Sequence, residues 1–351
     1  MKTILITGGA GFVGTNLTTR LAQNGDHVLV LDNFARAGVP ENWEFLHDNY
    51  GDSVELIEGD VRDEALVSEA VSRADAAFHF AAQVAVTTSL CAPIADFEIN
   101  ARGTLNVLEA IRARRDNEGV EVPLVFTSTN KVYGGLEDVT MRAQGSRYVP
   151  DNASIANYGI GESRPLDFHS PYGCSKGAAD QYVLDYTRTF DLPLCAFRMS
   201  CIYGPHQRGN EDQGWVAHFL LQTLRGEPIT LYGDGKQVRD LLFAPDLVDA
   251  FELALQNIDE IKGRAFNIGG GTNNALSLLE VIDLIEELHG ARPIIEWGDW
   301  RPGDQKFYVS DTRAFARAVG WRAQTDVTDG IARLYRWFSE SRKAEALVAA
   351  I

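Results

Sequence analysis

A short apolar strand, Thr3-Ile4-Leu5-Ile6-Thr7, runs without a spacer into Gly8-Gly9-Ala10-Gly11-Phe12-Val13-Gly14 and then into a helical stretch. Gly9-Ala10-Gly11-Phe12-Val13-Gly14 is a literal G-x-G-x-x-G, and Gly8-x-x-Gly11-x-x-Gly14 overlaps it. Set between a strand and a helix, this pattern restricts the fold more than any other segment of the chain. The glycines permit a tight turn and let backbone N–H groups reach a pyrophosphate at a helix N-terminus.

The segments that follow keep the rhythm. Strands are expected at residues 27–32, 54–58, 76–80, 124–128 and 194–198, each a near-continuous apolar run that a parallel sheet would bury on both faces. Between the fourth and fifth strands, Ile94, Phe97, Ala101, Leu105, Leu108 and Ile111 form one helical stripe. The alternation predicts an α/β fold, a doubly wound parallel Rossmann sheet. Asp32 closes the second strand, where a carboxylate can hold ribose hydroxyls and repel a 2′-phosphate, so NAD is favoured over NADP. Arg36, nearby, is the residue that would accommodate such a phosphate. Asp60 and Val61 follow the third strand, with Asp60 placed to touch the adenine, and Phe80, Ala81 and Ala82 follow His79 on the pyrophosphate side. Gly8, Gly11, Phe12, Val13, Gly14, Asp32, Asn33, Asp60, Val61, Phe80, Ala81, Ala82 and Gln83 therefore form the candidate cofactor line.

The chemistry is carried by Thr129, Tyr172 and Lys176. The tyrosine and lysine are four apart, on one face of a helix. A lysine ammonium beside a phenol favours phenolate and pulls the tyrosine below its ordinary pKa of about 10. That makes a general base for a hydroxyl proton, and on a dinucleotide-binding fold it means alcohol-to-ketone chemistry.

A chain of 351 residues with a formal charge of −17 has no basic footprint for nucleic acid. No apolar run approaches the roughly 20 residues of a membrane span. Met1-Lys2 leads directly into the first strand without a leader, so a cytoplasmic location is expected. Cys91, Cys174, Cys195 and Cys201 show neither Cys-x-x-Cys spacing nor clustered histidines, which argues against both zinc and a disulfide framework. Residues 135–170 are polar and show no clear period, and they read as a lid leading into Tyr172. Beyond Arg198, helices near 215–224, 278–289 and 326–339 alternate with strands at 229–232 and 265–268. The expected division is residues 1–200 as the NAD-binding unit. Residues 201–351 then form mainly a smaller α/β lobe that binds the substrate, some segments of it returning to the first unit. The Ala-rich tail, 343–351, reads as a fraying helix.

These residues resemble the extended short-chain dehydrogenases that modify nucleotide sugars. The similarity runs through Thr127-Ser128-Thr129, Tyr172-Gly173-Cys174-Ser175-Lys176, Arg198-Met199-Ser200-Cys201-Ile202-Tyr203-Gly204-Pro205, Arg239-Asp240 and Arg301-Pro302-Gly303-Asp304. Ala82-Gln83-Val84-Ala85-Val86-Thr87-Thr88-Ser89, Asn130-Lys131 and Asp212-Gln213-Gly214-Trp215-Val216 are similar to the branch that inverts C2 of CDP-hexoses. The resemblance implies Tyr172 as base, Lys176 as anchor of the nicotinamide ribose, and Thr129 as partner of the reacting hydroxyl. It also implies Asn100 and Ser200 flanking the nicotinamide, and Arg239 and Arg301 on the substrate diphosphate. Thr88, Ser89, Asn130, Lys131, Cys201, Gln213 and Trp215 complete the candidate substrate set. Cys201 departs from the Asn of many 4-epimerases, and Ala82 from the Gly that often follows His-x-Ala.

Dehydratases of this family carry Asp-Glu after the catalytic threonine, where this chain has Asn130-Lys131. An amide offers no proton chemistry at neutral pH, so dehydration is disfavoured and epimerisation, which needs no further acid or base, is expected. Position 2 and the CDP moiety rest on the resemblance. A 4-epimerase on another nucleotide sugar, or a non-catalytic NAD-sensing protein, are the alternatives. A homodimer or homotetramer is expected, packed through the helix from Ile94 and the helix carrying Tyr172, where Ala179, Tyr182, Val183 and Tyr186 form a stripe.

Overall fold

The computed structural model describes residues 1–301 and 303–349. Pro302, within the Arg301-Pro302-Gly303-Asp304 stretch, and residues 350–351 of the tail lie outside the described residues. Three βα units open the chain: β1 (Thr3–Thr7) and α1 (Phe12–Gln23), β2 (His27–Asp32) and α2 (Val39–Tyr50), β3 (Val54–Glu58) and α3 (Glu64–Ser72). β4 (Ala76–His79) then leads through α4 (Val86–Cys91), α5 (Pro93–Phe97) and a π-helical turn at Glu98–Arg102 into α6 (Gly103–Glu118). β5 (Leu124–Thr129) ends in a 3-10 turn, Asn130–Tyr133. A hairpin of β6 (Met141–Gln144) and β7 (Arg147–Pro150), then α7 (Ala153–Tyr158), precede the long α8 (Ser170–Phe190) and β8 (Leu194–Met199).

The second half begins with β9 (Cys201–Tyr203), α9 (Trp215–Arg225), β10 (Ile229–Tyr232) and β11 (Val238–Phe243). After α10 (Ala244–Gln256) and α11 (Ile258–Ile261) come β12 (Ala265–Ile268), β13 (Ala275–Ser277) and α12 (Leu278–His289). β14 (Ile295–Gly298), β15 (Phe307–Tyr308), α13 (Arg313–Val319) and α14 (Val327–Ala349) complete it. A Ser277–Glu280 capping box starts α12, each side chain bonding the other's backbone N–H.

Seven parallel strands form the main sheet in the order β12-β8-β5-β4-β1-β2-β3. Connections from β1 run outward one way to β3 and then reverse at β4, so a switch-point crevice opens beyond the carboxyl ends of β1 and β4. β1, β2, β4, β5 and β8 are buried on both faces, as their apolar runs require, while the edge strand β3 is only partly buried. One face packs on α1, α10, α11 and α13, the other on α3, α6 and α8. A separate core of α9, α12 and α14 with β10 and β11 supports the second lobe.

Three expectations change. The strand at Ala265–Ile268 belongs not to the small lobe but to the main sheet, paired in parallel with β8. Four apolar residues announce a buried strand without saying which sheet takes it. The stripe from Ile94 to Ile111 is not continuous: Leu108 and Ile111 are buried, whereas Ile94 is 78% and Phe97 52% exposed. The π turn between them adds a residue to one helical turn and rotates the N-terminal part off the core. Residues 135–170 are not a loose lid. Gly145-Ser146 closes the β6–β7 hairpin, with Gln144 opposite Arg147. Tyr148 N donates to Lys236 O at 3.0 Å, and Ile160 N to Val309 O at 2.7 Å, which ties the segment to the second lobe. Val132, Tyr133, Leu136, Val139, Ile160 and Tyr308 give it a core of its own.

Candidate active site

A cavity of about 940 Å³ lies along the switch-point crevice and continues between the main sheet and the second lobe. At one end is the glycine turn. Gly8 has φ +70°, a conformation that L side chains rarely adopt, and a Cβ there would lie 2.8 Å from Ala81 N. A Cβ on Gly14 would lie 2.3 Å from Gly8 O, so only glycine lets α1 start so close to β1. Gly11 caps α1 without a side-chain hydrogen bond, leaving the first-turn N–H groups free of side-chain acceptors. This is the arrangement an anionic pyrophosphate needs.

Asp32 lies at the end of β2, buried, with Oδ2 accepting from Ala10 N and Oδ1 from Phe34 N, both at 3.1 Å. It braces the glycine turn while facing the same cavity. Burial raises its pKa and the backbone donors oppose the rise. Arg36 is turned away from the ribose end: its guanidinium donates to Gln213 Oε1 and its field reaches Tyr172. A 2′-phosphate would therefore meet Asp32 with no arginine committed to it. Asp60 is held by Arg62, which donates to both carboxylate oxygens at 2.9 and 2.8 Å, and by Asn33 Nδ2 at 2.8 Å. Those bonds, Arg62 foremost, hold it down to about 2. Gly8, Gly11, Phe12, Val13, Gly14, Asp32, Asn33, Asp60, Val61, Phe80, Ala81, Ala82, Gln83 and Ser200 all line the cavity. Asn100 does not. It is buried behind the wall, where Oδ1 accepts from Gln83 N at 2.9 Å and Nδ2 donates to Gln83 O at 3.0 Å. Its two bonds to the Gln83 backbone brace the loop after β4.

Midway along the cavity, Thr129, Tyr172 and Lys176 converge. Thr129 ends β5 and caps the 3-10 turn, its Oγ1 accepting from Lys131 N at 3.2 Å. Tyr172 and Lys176 occupy the first two turns of α8, which is capped at His169 and has Pro171 in its first turn. Gly177 keeps that helix close: a Cβ there would run into the Phe168 ring at 2.4 Å. Lys176 Nζ donates to Thr127 O at 2.6 Å and sits 4.3 Å from the centre of the Phe126 ring. Desolvation pushes it down to about 7, against the fields of Asp180 and Asp96. The Tyr172 phenol is raised, not lowered: burial dominates, the Thr129 hydroxyl opposes it, Asp96 adds to it and Arg36 opposes it. The expected lowering by Lys176 is therefore not what sets the phenol in the protein alone: burial does, and the Thr129 hydroxyl and Arg36 are the groups that oppose it.

At the far end, Thr88, Asn130, Lys131, Cys201, Gln213, Trp215, Arg239 and Arg301 line the cavity. Ser89 does not; it is buried, and its hydroxyl donates to Val86 O at 2.7 Å inside α4. Asn130 is buried beside Thr129. Lys131 Nζ reaches Gly303 O at 3.3 Å and is pushed down to about 8, by desolvation and then by Arg239. Cys201 Sγ accepts from Trp215 Nε1 at 3.5 Å. Arg239 pairs with Asp304 at 2.6 Å. Arg301 donates to Glu211 O at 2.9 Å and lies 3.8 Å from the centre of the Tyr232 ring. Both guanidinium groups face the cavity while held by these internal partners. Asp304, Tyr232 and the Arg36–Gln213 link were not singled out as site residues. Their contacts join positions 65, 69 and 177 residues apart, which no local pattern reports.

A model of the NAD dependent epimerase/dehydratase family matches residues 4–269. CDP-paratose 2-epimerase of Salmonella typhi is 41% identical over 343 residues, covering 96% of this chain and 99% of that protein. Among solved structures, the UDP-glucose 4-epimerase of Thermus thermophilus in complex with NAD matches with a TM-score of 0.78 at 31% identity, covering 96% of this chain and 99% of the other. A double mutant of dTDP-glucose 4,6-dehydratase from Streptomyces venezuelae, with NAD bound, matches at 0.81 and 29% identity over 97% and 98%. The glycine cradle and Asp32 fit the dinucleotide these proteins hold, and NAD is the cofactor. On the family match and the sequence identity, the chain belongs to the NAD-dependent epimerase/dehydratase family.

Proposed function

We propose that the protein is an isomerase, a nucleotide-sugar 2-epimerase that inverts C2 of a CDP-hexose, with CDP-paratose or a close analogue such as CDP-glucose as substrate. The observation that carries this reading is the Asn130-Lys131 pair after Thr129, which puts an amide and a cation where water elimination needs an acid and a base. The 41% identity to a CDP-paratose 2-epimerase supports the carbon and the nucleotide. Residues 1–200 would bind NAD and the lobe beyond them most of the nucleotide sugar. Four unpaired thiols suit a reducing compartment, the cytoplasm. No helix of the structure, among the described residues, is long and apolar enough to cross a membrane. The exposed Ile94 and Phe97 of α5, which packs on α8, and the exposed Tyr182 of α8 support a homodimer.

When bound, NAD supplies a reversible two-electron oxidation at the sugar carbon. Tyr172, as phenolate, takes the C2 hydroxyl proton while the ketone forms and returns it when the ketone is reduced. Thr129 holds that oxygen, and Lys176 supports the phenolate and the ribose beside it. Arg239 and Arg301 exchange Asp304 and the Glu211 carbonyl for the diphosphate, with charge-assisted bonds that an acidic protein otherwise lacks. The 2-keto sugar then presents its other face, and Asn130 with Lys131 sets C2, not C4, at the reacting position.

The test is substrate deuterated at C2 or at C4, with products read by NMR. A primary isotope effect should appear with the C2 label only, and no deuterium should enter carbon from D2O. An effect at C4 with inversion there would make the enzyme a 4-epimerase. Solvent deuterium at C2 would replace transient oxidation by deprotonation.

A further inference from the structure

The loop after β4 and the helix carrying Tyr172 and Lys176 meet at a buried carboxylate that the mechanism leaves unused. Asp96, on α5, is 1% exposed. Its Oδ2 accepts from Ser175 Oγ at 2.5 Å, and its Oδ1 accepts from Gln83 Nε2 at 2.8 Å and Asn100 Nδ2 at 3.2 Å. All three donors are neutral, and among the described residues no cation is hydrogen-bonded to it. A carboxylate stays ionised in a dry site only with compensation. Here burial raises the Asp96 pKa, the Ser175 and Gln83 hydrogen bonds oppose the rise, and its field falls on Lys176, the residue after Ser175.

Lys176 is in the complementary position. Its Nζ bonds a carbonyl, Thr127 O, rather than a carboxylate. Asp180, one turn further along α8, already accepts two hydrogen bonds from Arg198, at 3.0 and 2.8 Å. Asp96 is therefore an unmatched negative charge beside a lysine without a matched acid. The other charges packed around them are placed differently. α4 carries none, while the π turn brings the exposed Arg102 and the half-buried Glu98, whose field falls on Arg62. Arg36 bears on Tyr172 from the β2–α2 loop. His79 on β4 is kept neutral by burial between Thr7 and Thr104.

We propose that ionised Asp96 is a positioning residue for the Tyr172–Lys176 pair. Through Ser175 it fixes the catalytic helix against the Gln83 loop, and its charge opposes the loss of the Lys176 proton that burial favours. The assignment rests on the role proposed for that pair, not on which sugar carbon reacts.

Asp96→Asn tests it with little change of shape. The amide oxygen keeps the Gln83 and Asn100 donors, and the amide nitrogen faces Ser175, whose hydroxyl already lies 3.2 Å from Tyr172 O. Removing the negative charge disfavours the ammonium and favours the phenolate, so both titrations move to lower pH. Both limbs of the pH–turnover profile on the CDP-hexose should shift to acid by about half a pH unit or more. Asp96→Glu, which keeps the charge, should return them towards the wild-type positions. A second readout needs no substrate. The ultraviolet phenolate titration of each variant, minus that of its Tyr172→Phe counterpart, should show the Tyr172 midpoint falling in Asp96→Asn. Midpoint and limbs unmoved from wild type would overturn the proposal. If wild-type protein turns over no CDP-hexose, the functional reading fails and the phenolate titration still decides Asp96. If Asp96→Asn does not fold, Asp96→Ser removes the same charge with less bulk and is read in the same way.

Discussion

At the scale of single residues, Lys176 shows how a reactive site works against the stability of its fold. A buried lysine displaced to about 7 gives up its proton in the native state well before the unfolded chain does, near 10.4. Between those values the unfolded state binds more protons, so stability rises with pH; below about 7 the full cost of burying the ammonium is present. Lys176→Met keeps the length and removes the charge. Measured without cofactor, the variant should be more stable than wild type at pH 7 by a few kcal/mol, at about 1.4 kcal/mol per unit of displacement. The lost bond to Thr127 O takes back roughly 1 kcal/mol. The gap should close as pH rises towards 10, while turnover is lost throughout. Denaturant titrations at several pH values measure it. A variant less stable at pH 7, or a gap that does not change with pH, would show that Lys176 is not held against its charge.

At the scale of elements, the glycine turn is where backbone geometry becomes binding. An alanine at Gly14 would put its Cβ 2.3 Å from Gly8 O and 2.6 Å from Gly9 Cα, both backbone, so α1 would have to move. Gly14→Ala should therefore weaken NAD binding at least tenfold, about 1.4 kcal/mol. Gly25→Asn should leave the affinity unchanged: its φ is +86°, which asparagine tolerates, and open space surrounds it. Titration of cofactor-stripped protein with NADH decides, and equal affinity in the two variants would remove the turn from the binding site. The same contrast explains what was legible in the chain. Strands with near-continuous apolar runs, such as His27–Asp32, and helices with a clean stripe, such as Leu278–His289, appear where their patterns place them. The β6–β7 hairpin has strands of only four residues each that stay largely in contact with solvent, too short to show a period, and its signal is the Gly145-Ser146 turn. Most candidate cofactor residues line the cavity because strand ends converge by topology. Asn100 and Ser89 do not, since which way a side chain faces in the α4–α5 corner depends on packing that their neighbours in sequence do not disclose.

At the scale of the whole molecule, a charge of −17 and an apolar helical face act in opposite directions on self-association. α5 and α6 pack beside α8; of the α8 stripe expected at an interface, Ala179, Val183 and Tyr186 are buried in the core instead, and Tyr182, with Ile94 and Phe97 of α5, remains in solvent. A second copy related by a twofold axis would cover the face with its own, helix against helix. Each copy brings the same negative charge, so the contact must be held by apolar burial and weakened by long-range repulsion. The protein should therefore be a dimer at micromolar concentration, and the dimer should tighten as salt is raised from about 0.01 M to 0.1 M and the screening length falls from about 30 to 10 Å. Ile94→Glu with Phe97→Glu should give a folded monomer that still binds NAD, since neither side chain lines the cavity. Light scattering and sedimentation read the mass, and circular dichroism the fold. A wild-type monomer would leave the face without a partner of its own kind, and a dimer that loosens with salt would mean that ion pairs, not the apolar face, hold the two copies together.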